Sequence, residues 1–236
     1  MTTTRPCVAS ARIRIDNDAG EVEVSGWDRD ILEVVATRHA PDAAGLERMV
    51  VEVSPSAQGW RVAYTSDGAL LNAWVDFRIR CPLEAAIDVR NAAGEVLISG
   101  FRGASRAATA SGAIRAAGLS GTATLTSGAG SIEGAAIEGT VHARTSSGRV
   151  SLHGQLVGSH RVETASGDIV VDGVNGSVDA RSVSGSIVVE GRLTSPSALR
   201  TVSGNITARL LPGSSLTAGS LPAETTSGTV DVRDVE

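Results

Sequence analysis

A short pattern of apolar, polar and glycine positions recurs from residue 91 to the end of the chain. In Thr164-Ala-Ser-Gly167-Asp-Ile169, a polar residue lies three positions before an anchor glycine and an apolar residue lies two positions after it. The anchor glycines are 18 or 19 residues apart, except for a last interval of 24, and they are Gly94, Gly112, Gly130, Gly148, Gly167, Gly185, Gly204 and Gly228. A looser copy surrounds Gly20. This near-constant interval predicts a repeat fold.

Within each copy, apolar residues alternate with polar ones. Ile169 and Val171 follow one anchor glycine at even offsets, and Val178 and Ala180 precede the next. A period of two predicts short strands with one buried face. A second glycine, such as Gly121, often follows nine residues after an anchor and predicts a second turn, because glycine adopts positive φ without steric cost. No segment keeps a 3.6-residue period, so we expect almost no helix.

Strands this short bury an apolar face only when successive copies stack. We therefore predict an all-β fold, a right-handed single-stranded β-helix (β-solenoid) with coils of about 18 residues stacked about 4.8 Å apart. A left-handed hexapeptide helix would need an apolar residue every six positions, and a calcium-binding nonapeptide roll would need an aspartate at every turn. Neither pattern is present. The copy after Gly148 is one residue long, and we expect its extra residue near Gly158.

Residues 8–82 lack the regular repeat and have longer alternating runs. We predict strands at Val8–Ile15, Ile31–Ala36, Met49–Val53, Trp60–Thr65 and Trp74–Arg80, with breaks at Pro41-Asp42, Pro55-Ser56 and Ser66-Asp67-Gly68. A solenoid needs its first coil covered, because an exposed strand edge invites aggregation. We therefore interpret 1–236 as one domain, in which 1–85 form a longer-stranded N-terminal opening region or cap and 86–236 form regular Ser-Gly-x-Ile repeats.

Composition and charge exclude several classes of protein. Hydrophobic residues make up 42% of the chain, which excludes wholesale disorder, although aromatic residues reach only 3%. All 21 basic residues are arginine and the net charge is −5, so no nucleic-acid partner is indicated. Cys7 and Cys81 are too few for a disulfide scaffold, and their pairing stays open. No signal peptide or membrane span is visible, which predicts a cytoplasmic chain as written without membrane insertion; a cell-envelope location stays open for a longer chain.

Hydroxyl residues recur beside the anchor glycines. Three positions before the anchors lie Thr109, Ser127, Thr145, Thr164, Ser182, Thr201 and Thr225, and one position before them lie Ser111, Ser147, Ser166, Ser184, Ser203 and Ser227. Both sets share the parity of the inward apolar positions. Because buried hydroxyls must be hydrogen-bonded, we predict a structural ladder that joins successive coils. A serine nucleophile is the alternative, but no Gly-x-Ser-x-Gly elbow accompanies these residues.

Charged residues of both signs recur at outward positions of the later copies. They are His142, Arg144, Arg161, Glu163, Asp179, Arg181 and Arg200, and we call this set the charged stripe. Stacked about 5 Å apart, opposite charges would form cross-strand pairs worth a few tenths of a kcal/mol each. The stripe is either an ordinary solvated face or a surface that binds a partner.

Candidates for metal binding and catalysis are weaker. His39, His142, His153 and His160 lack the spacing of a zinc site. His160 falls at an inward position, so we expect a buried neutral imidazole bonded to a hydroxyl. Asp168, Asp172 and Glu190 are scattered, whereas carboxylate catalysis needs a paired arrangement. We therefore predict no catalytic residues, no metal and no cofactor.

The order of several motifs resembles a known family. Val75-Asp-Phe-Arg-Ile-Arg-Cys-Pro82, Val22-Glu-Val24-Ser-Gly-Trp27 and the Thr-x-Ser-Gly-x-Ile ladder together resemble the bacterial DUF4097 β-strand-repeat family, also called the adhesin or toastrack domain. The resemblance implies a right-handed β-helix and an association with the cell envelope, often with its stress-response membrane modules. It implies no catalytic residues.

Two functional hypotheses follow. The first is a non-catalytic structural or interaction module that presents a rigid face to an unidentified protein or envelope partner. The alternative is a self-assembling scaffold that resembles bactofilin polymers, and a polysaccharide-active enzyme is less favoured. The last strand, expected at Val230–Val235, would leave backbone groups open, so we predict a weak homodimer through this C-terminal edge.

Overall fold

The computed structural model describes residues 1–66 and 71–235, which form an all-β chain with one short helix. The predicted break at Ser66-Asp67-Gly68 falls largely outside the described residues. The strands are β1 (Thr2–Pro6), β2 (Arg12–Ala19), β3 (Val22–Trp27), β4 (Ile31–His39), β5 (Met49–Ser56), β6 (Gly59–Ser66), β7 (Trp74–Pro82), β8 (Ala86–Ala93), β9 (Val96–Ser99), β10 (Ser105–Ser111), β11 (Ile114–Ala129), β12 (Ile132–Ser147), β13 (Val150–His153), β14 (Leu156–Ser166), β15 (Ile169–Ser184), β16 (Ile187–Leu193), β17 (Ala198–Ser203), β18 (Ile206–Leu210), β19 (Ala223–Ser227) and β20 (Val230–Asp234). The helix α1 spans Ala43–Glu47.

The repeats stack as parallel strands in register. Ile114 on β11 pairs with Ile132 on β12, and Leu125 pairs with Ala143, so each residue lies beside its equivalent in the next copy. The strands that end at the anchor glycines form one ladder, β6-β2-β8-β10-β11-β12-β14-β15-β17-β19, which we call face A. The strands that follow the anchor glycines form face B, in the order β7-β3-β9-β11-β12-β13-β15-β16-β18-β20.

The N-terminal strands do not stack in chain order, which sequence reasoning missed. β2 lies between β6 and β8, and β3 lies between β7 and β9, so the first coil of the chain is the second coil of the stack. Outside this coil, β4 pairs antiparallel with β7, β1 pairs with β4, and β5 pairs with β6. These reversed strands cover the N-terminal end of the solenoid.

Several predicted boundaries in this region need correction. The run predicted at Val8–Ile15 begins as a strand only at Arg12, and the preceding strand β1 was not predicted. Pro55-Ser56 does not break a strand but belongs to β5, an outer strand, where proline is tolerated. Pro41-Asp42 does end β4, and the Asp42 carboxylate caps α1 by accepting a hydrogen bond from the Gly45 amide at 2.7 Å. No helix in 1–66 or 71–235 is long and apolar enough to cross a membrane.

A thin core of small and aliphatic side chains runs along the whole stack. Ile132, Val150, Ile169, Ile187 and Ile206 follow one another on face B and are completely buried. Their inward row continues into the N-terminal strands, so cap and repeats share one apolar core. Rows of identical residues fill the interior because parallel, in-register stacking places equivalent side chains on top of each other.

Each anchor glycine sits where successive coils touch through their backbones. Gly167 has φ +151°, and a Cβ built on it would lie 2.1 Å from the carbonyl oxygen of Gly148 in the preceding coil. Only glycine fits this corner, which explains why the repeat keeps it.

The long coil places its extra residue earlier than expected. Ala135 pairs with His153, 18 residues later, whereas Glu138 pairs with Val157, 19 residues later. The extra residue therefore lies between His153 and Val157, not at Gly158. Gly158 itself pairs in regular register with Gly176.

Candidate interaction surface

The hydroxyl ladder has the structural role predicted for it. Each hydroxyl three positions before an anchor glycine donates to the carbonyl of the anchor glycine in the preceding coil. The bonds are Ser127 to Gly112 at 3.0 Å, Thr145 to Gly130 at 3.0 Å, Thr164 to Gly148 at 3.3 Å, Ser182 to Gly167 at 3.2 Å, Thr201 to Gly185 at 3.0 Å and Thr225 to Gly204 at 3.0 Å. The serines one position before the anchors, by contrast, are exposed. Their expected burial is wrong because the chain turns at the corner and the period of two ends there.

The charged stripe lies on face A, on four consecutive coils. His142 and Arg144 on β12 pair in register with Arg161 and Glu163 on β14. These in turn lie beside Asp179 and Arg181 on β15, and Arg181 lies beside Arg200 on β17. All seven side chains point outward, and the structure therefore brings the predicted residues together on one surface.

Ion pairs in the stripe run along strands as well as across them. Arg161 contacts Glu163 at 2.6 Å and Arg181 contacts Asp179 at 3.0 Å, each two positions away in its own strand. The predicted cross-strand contacts are longer, 3.8 Å from Arg144 to Glu163 and 3.9 Å from Arg161 to Asp179. Arginine reaches along the strand because residues two apart share a face. The hydrogen bond to Glu163 raises the pKa of Arg161 above its ordinary value.

The ends of the stripe differ in how they are neutralised. Arg200 contacts Glu224 at 3.4 Å. The Arg144 side chain is 74% exposed and has only its long contact with Glu163. His142 makes no ion pair within the described ranges, and neighbouring β11 supplies only Thr124 and Thr126. Exposed ion pairs contribute about 0–1 kcal/mol each, so the stripe has little weight in stability.

Two shallow depressions lie on the faces. One of about 240 Å³ follows the stripe beside Arg144, Glu163 and Arg181. A larger one, about 490 Å³, lies on face B over a floor of small and apolar residues that includes Leu97, Ala117 and Ala135. Arg115 crosses the second depression and is already held by Glu133, at 3.0 Å, and by Glu95. Neither depression is a closed pocket.

The remaining histidines are dispersed. His39 stacks on Trp74 with ring centroids 4.7 Å apart and contacts Asp76 at 2.9 Å, while His153 lines the face B depression. His160 is buried between Val141 and Val178, as predicted, and burial lowers its pKa. The expected hydroxyl partner is wrong: neither ring nitrogen reaches a hydrogen-bond partner in the described part of the chain. The Leu156 backbone opposes only part of the pKa shift.

Other titratable groups show where sequence reasoning was incomplete. Asp172 and Glu190, expected to be scattered, are register neighbours on face B, although Arg209 contacts Glu190 at 3.4 Å. Asp168 lies apart, at the anchor corner, where it accepts a hydrogen bond from the Ser186 amide at 3.0 Å. Across 1–66 and 71–235, no group of three or more histidine, cysteine or acidic side chains is arranged to hold a metal ion.

The two cysteines are free and buried. Burial raises the pKa of Cys81, and the nearby Cys7 adds to the shift. Burial also raises the pKa of Cys7, with a smaller contribution from Asp30. Both sulfurs are therefore neutral thiols packed in the N-terminal part of the core.

Comparisons with known proteins agree with this architecture. A solved structure from Parabacteroides distasonis, described as a "putative lipid binding protein", is 15% identical, with a TM-score of 0.57, and the match covers 100% of this chain and 97% of that one. A "putative adhesin" from Bacteroides fragilis is 10% identical, with a TM-score of 0.47 and coverage of 100% and 96%. At these identities the likeness concerns the fold alone. No curated protein sequence matches the chain. The profile of the Toastrack DUF4097 family matches residues 106–235, more than half of the sequence, and the chain belongs to that family.

Proposed function

We propose that this chain is a non-catalytic β-solenoid module that binds a partner through the charged stripe on face A. Residues 1–85 and 86–236 would act as one domain, a proposal supported by the apolar core they share. We infer a right-handed winding with a coil of about 18 residues, because crossovers between parallel strands are right-handed in about 98% of cases.

One observation carries the proposal: the seven stripe residues are rigidly stacked on four consecutive coils. A ladder of paired strands holds their Cα positions, so the pattern of charges is fixed before a partner arrives. Pre-organised surfaces bind with less loss of conformational entropy than mobile loops do. Charges of this kind affect association rate and partner choice more than total affinity. The family resemblance supports a partner in the bacterial cell envelope and a link to its stress response.

The experiment is a comparison of partner capture by matched variants. The tagged chain and the variant Arg144→Glu/Arg181→Glu are incubated with envelope extract, and Arg209→Glu on face B serves as the control for a change of charge elsewhere. We expect the stripe variant to lose a partner that the wild type and the control both retain. Equal capture by all three proteins would refute the role of the stripe.

A second function is supported by the C-terminal end of the stack. β19 pairs only with β17, and β20 pairs only with β18, within the described residues. Val230 is 45% exposed there. Such an edge can pair with another strand, so a scaffold built by self-association, or a weak two-fold dimer, remains the alternative proposal.

Light scattering tests this alternative. Val232→Pro removes a backbone donor from β20 and should abolish self-association at high protein concentration. Asp231→Asn is the control, because it keeps the backbone donors. A strictly monomeric wild type, or fibres formed equally by the proline variant, would refute the C-terminal edge as a contact.

A further inference from the structure

Charge is divided unevenly along this acidic chain. Residues 96–162 contain six arginines (102, 106, 115, 144, 149 and 161) and only two acidic residues, Glu133 and Glu138, which gives 6 − 2 = +4. The whole chain has a net charge of −5, so the remaining residues together carry −5 − 4 = −9. The middle of the solenoid is therefore a positive belt between two negative ends.

Most of the arginines in this belt are already neutralised. Arg115 is held between Glu95 and Glu133 on face B, and Arg102 contacts Glu84 at 3.4 Å. Arg149 contacts Asp168 at 3.5 Å at the anchor corner. These three positions therefore offer little free positive charge to a ligand.

Face A is where the positive charge stays free. Arg106 on β10 is exposed and has no ion pair, hydrogen bond or ring contact anywhere in 1–66 and 71–235. In register with it lie Thr124 on β11 and His142 on β12. Thr126 and Arg144 occupy the adjacent outward row. We call Arg106, Thr124, Thr126, His142 and Arg144 the central patch.

The surroundings of the central patch do not cancel this charge. The outward positions of β10 and of the face A parts of β11 and β12 hold no carboxylate, and the corner beside them holds only serine, alanine and glycine. The nearest acid along the stripe is Glu163, which is already held by Arg161 at 2.6 Å. Beyond the other end of the patch, Asp88 is held by Arg12 at 3.1 Å.

We propose that the central patch binds a linear anionic glycan that lies along the solenoid axis. The proposal rests on the interaction role above and adds the chemistry of the partner. Arg106 and Arg144 would contact acidic groups of the polymer, and the threonine hydroxyls between them would hydrogen-bond to sugar hydroxyls. Strands about 4.8 Å apart place Arg106 and His142 about 10 Å apart, so the contacts are spread along a chain and not gathered around one ion.

The observations favour a glycan over an acidic protein segment. The strands of the patch are paired on both sides, so no free edge is available for an added peptide strand. The patch also lacks the aromatic anchors and the deep pocket around which protein interfaces concentrate their binding energy. A flat surface of cations and hydroxyls suits many weak contacts with a hydrated polymer.

The test uses carboxymethyl-dextran, neutral dextran of the same length and poly-L-glutamate, with the full chain at low salt. We expect retention on carboxymethyl-dextran, none on neutral dextran, and a loss of affinity as salt rises, since exposed charges are screened. Arg106→Gln/Arg144→Gln should weaken binding about tenfold. Arg209→Gln/Arg233→Gln removes the same charge from face B, where both arginines are ion-paired, and should leave binding unchanged.

Three results would overturn the proposal: no retention on carboxymethyl-dextran, equal effects of the two double variants, or tighter and patch-dependent binding of poly-L-glutamate. The last would identify an acidic protein as the partner. Arg181 lies outside the central patch, so capture of an envelope partner that is lost in Arg181→Glu alone would uphold the interaction role even if the glycan proposal fails.

Discussion

Replacing Gly167 by alanine tests the argument that the anchor glycine is the contact between coils. A Cβ at this position would lie 2.1 Å from the Gly148 carbonyl oxygen and 2.6 Å from its carbon. Both are backbone atoms and cannot rotate away. The residue also has φ +151°, a conformation that side chains of L residues rarely adopt.

Two physical terms set the expected loss of stability. Backbone strain of this kind costs about 1–3 kcal/mol. Overpacking a well-packed contact costs about 1–3 kcal/mol more, because the coil must move away by roughly 1 Å. We therefore expect Gly167→Ala to lower the free energy of unfolding by about 4 kcal/mol, a large part of the 5–15 kcal/mol typical of a domain. The same displacement would lengthen the bond from Thr164 to Gly148, now 3.3 Å.

Urea unfolding followed by circular dichroism measures the loss, and native-state hydrogen exchange locates it. Protection should fall first in the coils that meet at Gly148 and Gly167. Gly219→Ala is the matched control, because no atom lies within 4 Å of a Cβ built there. If the two alanine variants unfold at the same urea concentration, the steric argument for the anchor glycine is refuted.

Three further changes probe other parts of the stack. Thr145→Val removes a buried hydroxyl that donates at 3.0 Å to the Gly130 carbonyl, and calorimetry should show a loss of about 1 kcal/mol. His160→Val should be tolerated at neutral pH and should make stability less sensitive to acid. The folded-state pKa of His160 is lowered, so below about pH 6.5 the unfolded chain takes up a proton that the fold excludes and the wild type loses stability. An alanine inserted between Ile169 and Val170 should collapse thermal stability, because it inverts the inward and outward positions of a whole strand.

Each of these changes has its own control and contradiction. Ser147→Ala, at an exposed hydroxyl, should be nearly neutral, and a loss equal to that of Thr145→Val would contradict the buried ladder. Parallel pH profiles of wild type and His160→Val would exclude a titrating imidazole. An alanine inserted after Gln155, where the long coil already holds an extra residue, should be tolerated far better than the insertion at Ile169.

The sequence predicts the regular part of this fold well because one local rule governs it. Every copy repeats the same corner, so the spacing of glycines such as Gly130 and Gly148 gives the pairing register, and alternation gives the buried face. The gathering of the charged stripe follows from the same register. Even the wrong burial of Ser147 has a local cause, since the period of two was extended past a corner where the chain changes direction.

The parts that could not be predicted depend on contacts between distant residues. β6 pairs with β2 some 47 positions earlier (Arg12 with Gly59), and no repeat signals that choice. The hydroxyl expected beside His160 would have to come from another coil, and its position cannot be inferred from parity alone. Similarly, the ion pairs formed by Arg161 depend on how a long side chain settles among several carboxylates.

The placement of β2 between β6 and β8 also gives the solenoid a direction of growth. β2 leaves the ribosome before either neighbour, so the first coil must wait for the strands that flank it. Once they arrive, the reversed strands β1, β4 and β5 block one end of the stack. Every later coil can then add only at the opposite end, onto a template just 18 or 19 residues behind it, and such short-range pairing favours rapid folding. Folding of this chain would thus resemble the elongation of a polymer from a single active end.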